Sequence, residues 1–131
     1  MTSPAAIPEP TIQPTRYVIS CLPEDHDERF LFTVQVDYRG DGKWAVASRS
    51  RLLGYDGQWS FGFDWRDGAE PSTEAECDEF EKQHGEWIAA HRFDEATALE
   101  LAKQAAKSLS YRGHTVADAL AWPDATTAAS A

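Results

Sequence analysis

No stretch of this chain approaches the roughly 18 consecutive apolar residues that a membrane-crossing helix needs, which excludes a helical membrane span. Cysteine is scarce. Cys21 and Cys77 are the only two, and thiols so far apart give neither a disulfide framework nor the paired Cys-x-x-Cys of a zinc site, so they suit a reducing compartment. Positive charge is also short, with 12 Lys and Arg against 22 Asp and Glu and a net charge of −10. Affinity for a phosphate backbone rests on clustered Lys and Arg, so direct nucleic-acid binding is not expected, and a charged partner is expected to be a basic protein. Gly-x-Ser-x-Gly, P-loop and dinucleotide fingerprints are absent, so no catalytic residue, metal ligand or cofactor is assigned and a non-enzymatic role is expected. The first fifteen residues hold four prolines and neither a basic nor an apolar signal region, from which no secretory signal and a cytoplasmic location are expected.

What the chain does have is alternation. At 131 residues and 42% hydrophobic content it has the size and composition of one globular domain. Phe30, Phe32, Val34, Val36 and Tyr38 share one face of a strand, and Trp59, Phe61, Phe63 and Trp65 share another, almost wholly aromatic one. Glycine turns at Arg39-Gly40-Asp41-Gly42-Lys43 and Gly54-Tyr55-Asp56-Gly57 separate these runs. The expected strands are 16–22, 29–38, 44–51 and 58–65. A short helix is expected over 73–84, ended by Gly85. Trp87, Ala89, His91 and Phe93 fit a fifth strand over 86–93, although Ile88, His91 and Arg92 also suit a helix. Asp94 caps an amphipathic helix from Glu95 to Ser108, with Ala98, Leu101, Ala102, Ala105 and Leu109 as its apolar stripe, and Thr115 with Asp118 caps a last short helix.

The fold class expected is therefore α+β: an antiparallel β-meander of four or five strands, packed on one face by a C-terminal amphipathic helix. Residues 16–120 form the domain, with an acidic insertion at 66–86; 1–15 and 121–131 are expected to be disordered tails. A helix about 10 Å wide spans only some two strands at a spacing of about 4.8 Å. Aromatic sheet surface should remain for the insertion, the termini or another subunit to cover.

The insertion carries the candidate site. Between Asp64 and Glu86 nine acidic residues face two basic ones, Arg66 and Lys82. Such a run is either a solvated face or a docking surface for a basic groove, with Asp67, Glu70, Glu74, Glu76, Glu79 and Glu81 as its charges and Trp65, Phe80 and Trp87 as aromatic anchors. Other clusters have plainer readings. Glu24-Asp25-His26-Asp27-Glu28 has metal-ligating residue types but not a calcium-loop spacing, and reads as a hydrated turn. Cys77, His84 and His91 recur every seven residues, but Gly85 interrupts the helix that would align them. Arg39-Gly40-Asp41 reads as a turn rather than an adhesion tripeptide, and Cys21 as packing rather than a nucleophile.

Trp87 to Phe93, the Asp94-Glu95-Ala96 helix start, the alanine-rich helix and Gly113-His114-Thr115-Val116-Ala117-Asp118 resemble small accessory proteins of actinobacteria and their phages. The resemblance brings no activity or functional residue with it. It implies a phage or mobile-element role in modulating a host protein. The leading expectation is thus a non-enzymatic acidic binding module, an inhibitor or immunity-type neutraliser of a basic protein. The alternatives are a self-associating assembly protein using an exposed aromatic sheet face, and a small-molecule binder or enzyme using a pocket between sheet and helix, with His26 or His91.

Overall fold

The computed structural model describes residues 6–66 and 68–122. It is an α+β fold whose main sheet has five strands in the order of the chain: β1 (Arg16–Ser20), β2 (Thr33–Gly40), β3 (Lys43–Ser48), β4 (Arg51–Leu53) and β5 (Trp59–Ser60). Each pairs antiparallel with the next. Three helices follow, α1 (Glu74–Ala90), α2 (Glu95–Lys107) and α3 (Val116–Ala121), with a two-stranded ribbon of β6 (Ser110–Tyr111) and β7 (His114–Thr115) before the last. Residues 6–15 have no helix or strand and are exposed, though the Thr15 carbonyl accepts from the Tyr38 N–H. Beyond α3, Trp122 packs its ring edge against Phe32 and His114; the rest of the expected C-terminal tail, 123–131, lies outside the described residues.

The core lies between the sheet and α2. Val34, Val36 and Val46 are fully buried in one cluster with Ala98, Ala102 and Ala106, which recur at the four-residue spacing of a single helix face. Alanine lets the α2 backbone approach β1, β2 and β3 closely, and no larger side chain fits without displacing the sheet. Ala45 alternates to the other side of β3 and is also fully buried, so at that point both faces of the sheet are covered.

Several elements differ from the sequence-based expectation. The strand expected over 29–38 begins with a 3-10 turn at Arg29–Phe32, closed by Leu31 N–H to Glu28 O and by the Thr33 hydroxyl donating to Arg29 O, so Phe30 is left exposed. The first strand stops at Ser20, and Cys21 is exposed rather than packed. The strand expected over 44–51 is two strands, joined by a tight turn in which Arg49 and Ser50 take φ of 50° and 68°. The strand expected over 58–65 pairs for only two residues, because the Ser60 hydroxyl bonds the N–H and carbonyl of Gly62 and turns the chain off the ladder. The strand expected over 86–93 is the second half of α1, and only Phe93 pairs with the sheet, as an isolated bridge to Trp44.

The helix caps agree with the sequence. Asp94 accepts from Thr97 N–H at 2.7 Å, and Thr115 and Asp118 form a reciprocal capping box. These bonds favour the carboxylate and hold both acids below the ordinary aspartate range, through the backbone N–H of Thr97 for Asp94 and of Thr115 for Asp118.

Two predictions come from this framework. Because both folded-state values lie below the unfolded one of about 3.9, the stabilisation these caps give is complete above that pH and is lost as pH falls through the lowered values. Urea midpoints measured between neutral pH and pH of about 3 should fall for the wild type and fall less for an Asp94→Ala, Asp118→Ala double variant, which starts lower. Ser50→Gly should raise the urea midpoint, worth about 1 kcal/mol, because glycine adopts the left-handed conformation without steric cost; an unchanged midpoint would show that the turn carries no strain.

Candidate functional site

The sequence between β5 and α2 forms one side of the molecule. Thr73 caps α1 by accepting from Glu76 N–H, and the hydroxyls of Ser72 and Thr73 donate back to Glu76 Oε1. Arg66 adds an ion pair to Glu76 Oε2 at 3.1 Å. Glu76 is thus committed to fastening the helix start. Glu79 accepts from Gln83 one turn on, and both Glu76 and Glu79 are half-buried.

No residue of α1 is fully buried, and the helix is attached through a row of rings. Phe63 meets Phe80 edge-on at 5.4 Å, lies flat on His84 at 5.0 Å and reaches Trp87 at 6.4 Å; Trp65 meets Phe80 at 6.0 Å. Phe80, His84, Trp87 and His91 follow one another at i, i+4, i+7 and i+11, the stripe that defines the inner face of the helix. That stripe carries the helix straight through Gly85, whose Cα faces open space.

Of the aromatic anchors expected from the sequence, Trp65 is 3% exposed and packs internally, while Phe80 and Trp87 are half-buried in the ring row. The charges divide differently. Glu70, Glu74 and Glu81 are exposed, as are Asp78 and Glu86, and none of the five has an ion-pair partner among the described residues. Glu74, Asp78 and Glu81 stand at i, i+4 and i+7 on one outer stripe. Asp67, expected among them, lies outside the described residues. Cys77 is exposed and His84 is stacked on Phe63, and among the described residues no three His, Cys, Asp or Glu side chains are grouped to hold a metal ion. In the 24–28 turn, His26 bonds within the fold: its Nδ1 accepts from Glu28 N–H, and its Nε2 donates to Ala119 O, tying the turn to α3.

Sequence reasoning did not anticipate the C-terminal end of α1. His91 is 8% exposed, stacks on Trp87 at 4.1 Å, caps the helix through its N–H and donates from Nδ1 to Trp87 O at 2.7 Å. Tyr55 N–H bonds Ala90 O, which seats the β4–β5 turn against the helix end. Between them lies a cavity of about 230 Å³ lined by Gly54, Tyr55, Asp56, Trp59, Trp87 and His91 among others. Next to it Arg92 donates to His91 O, and its guanidinium is pushed below the usual value by burial and then by the charge of Arg39. The sequence signals for this site were His91, one of two histidines offered for a pocket between sheet and helix, and the Gly54-Tyr55-Asp56-Gly57 turn; their pairing is tertiary.

No protein-family model, curated protein or solved structure matches the chain.

The ring row makes α1 the most separable part of the fold. Phe80→Ala should strip hydrogen-exchange protection from α1 amides while leaving β2 and β3 protected, and Gly85→Ala should raise α1 protection by about 1 kcal/mol. Equal loss across the sheet in Phe80→Ala would show that α1 and the core unfold as one unit.

Proposed function

We propose that the protein is a non-enzymatic binding module that inhibits or neutralises a basic protein partner through the outer face of α1. The observation that carries this reading is the stripe of Glu74, Asp78 and Glu81, flanked by Glu70 and Glu86, exposed and without ion-pair partners among the described residues. Like charges at i, i+4 cost a helix a few tenths of a kcal/mol, so apart from Glu74, which the helix N-terminus favours, the stripe does not stabilise α1. A helix of 17 residues presents its charges along a rod of roughly 25 Å, at spacings that a basic groove can meet. The chain's net charge of −10 would speed encounter with such a partner. Trp65 belongs to the support of this surface rather than to its contact area, since it is buried.

Among the described residues no helix is long and apolar enough to cross a membrane. A cytoplasmic partner and a host-modulating role, as the resemblance to actinobacterial and phage accessory proteins implies, complete the proposal.

The test is affinity capture from an actinobacterial host lysate, followed by titration of the purified partner at low and high salt. A basic protein whose affinity falls with salt, and falls roughly tenfold further with Glu74→Gln, Asp78→Asn and Glu81→Gln together, is the expected result, each exposed pair being worth about 0.5 kcal/mol. A partner indifferent to both salt and these substitutions would sink the proposal.

A further inference from the structure

The geometry points to a second recognition site at the other end of α1: the cavity under the β4–β5 turn is a receptor for a guanidinium group. Beside the indole, hydroxyl and amide donors of its lining, the cavity has two acceptors that face each other. With His91 Nδ1 donating to the Trp87 carbonyl, the ring turns the Nε2 lone pair toward Gly54, and among the described residues that atom has no hydrogen-bond partner although the residue is 8% exposed. Asp56 supplies the second acceptor, with Oδ1 held in place by the Gln58 N–H. A Cβ placed on Gly54 would lie 2.9 Å from Asp56 Oδ1 and 3.1 Å from His91 Nε2. Both acceptors therefore converge on one point and stand no more than about 6 Å apart, without forming an ion pair with each other. A ligand cannot occupy that point, which lies a bond length from the Gly54 Cα, but glycine there spares both acceptors the clash that any Cβ would make.

Three further features select a cation that is flat. Trp59 and Trp87 line the cavity, and indole faces attract guanidinium by stacking and by their quadrupole. The chain itself makes this pairing at the same ring, with the Arg51 guanidinium 5.0 Å from the Trp59 centre, although Arg51 does not line the cavity. The negative end of α1 lies here, with no basic residue in its last turn, though Arg92 just beyond it donates to His91 O. An ammonium offers its three donors from a single nitrogen, whereas a guanidinium has five N–H donors in a planar fork and can reach two separated acceptors while lying on a ring. At about 230 Å³ the cavity is below the usual range for drug-sized ligands and suits a single side-chain group. None of the α1 carboxylates lines it, so the site stands independently of the proposed acidic docking surface.

The full chain, labelled to report its indole N–H resonances, should be titrated with N-acetyl-arginine methylamide, the lysine and citrulline analogues, and methylguanidine. Saturable shifts at Trp59 and Trp87 are expected with the two guanidines, weaker ones with the lysine compound and none with citrulline. Tighter binding of the arginine compound than of methylguanidine assigns the group to a peptide; equal binding assigns it to a free guanidine. Asp56→Asn keeps the acceptor for Gln58 N–H but removes the charge, and should weaken binding at least about tenfold. Gly54→Ala should abolish it, because the added Cβ would stand 2.9 Å from Asp56 Oδ1 and 3.1 Å from His91 Nε2 and push both acceptors away. The triple α1 variant with Glu74→Gln, Asp78→Asn and Glu81→Gln should bind the arginine compound unchanged, which separates failure of this site from failure of the acidic surface. Equal shifts with citrulline and arginine, an unaltered affinity in Asp56→Asn, or no saturable shift in the wild type would each overturn the assignment.

Discussion

Two backbone hydrogen bonds between Trp44 and Phe93, at 2.7 and 2.9 Å, fix everything that follows the sheet. They clamp the link between α1 and α2 onto β3, so that one helix ends and the other begins at a defined point of the sheet. Asp94, the next residue, can then cap α2 in line with the sheet, and the alanine face of α2 falls on Val34, Val36 and Val46. On the other side of the same clamp, His91 closes α1 and Ala90 O meets Tyr55 N–H. Core, ring row and cavity thus share one register, and a shift of the bridge by one residue would misplace all three.

The two helices obey different physics on either side of that clamp. The α2 contact is close and aliphatic: small side chains on helix and sheet leave nothing to rearrange, and three alanines are exposed by 1% or less. The α1 contact is made of rings meeting edge-on or flat at 5 to 6.4 Å, with no fully buried residue on the helix. Trp65 Nε1 is buried there without a hydrogen-bond partner, a cost that a tighter layer would not have left standing. A firm scaffold carrying one more loosely seated helix is a common arrangement for a recognition surface, since local opening then leaves the core intact.

Where the chain's local chemistry and its tertiary contacts agreed, the sequence was sufficient. Asp94, Thr115 with Asp118, and the Asp41-Gly42 turn all form what their residue types favour, and the antiparallel order from β2 to β5 follows from short turns. The misreadings have a common cause. Arg49 and Ser50 turn left-handed although neither is a residue suited to it, because Ser48 is pinned by its hydroxyl to Thr33 O and Arg49 lies over the Tyr111 ring. Trp87, Ala89, His91 and Phe93 alternate as a strand would, yet the i, i+4, i+7 row from Phe80 to Trp87 has Phe63 to pack on and takes precedence. Gly85 ends no helix, since the rings on either side of it outweigh its intrinsic cost of about 1 kcal/mol. The acidic run was legible as composition; which carboxylates stay unpaired was not, because Glu76 is taken by Arg66 and two hydroxyls.

The two candidate surfaces sit at opposite ends of one helix, and the helix dipole acts on them unequally. At the N-terminal end the carboxylates of Glu74 and Glu76 are stabilised by the unsatisfied N–H groups, so negative charge there is held at little cost. At the C-terminal end the carbonyls already favour a cation, and Asp56 comes from a different segment to add its charge to theirs. A partner with basic residues spaced along the helix would meet long-range attraction first and a shaped, partly desolvated acceptor at one end. The first gives rate and depends on salt; the second gives orientation, and depends on shape and on a hydrogen-bonding atom that the fold leaves unpaired. The charge of Arg39 bears on Arg92, which follows His91 at that same end, so a cation approaching from their flank is disfavoured.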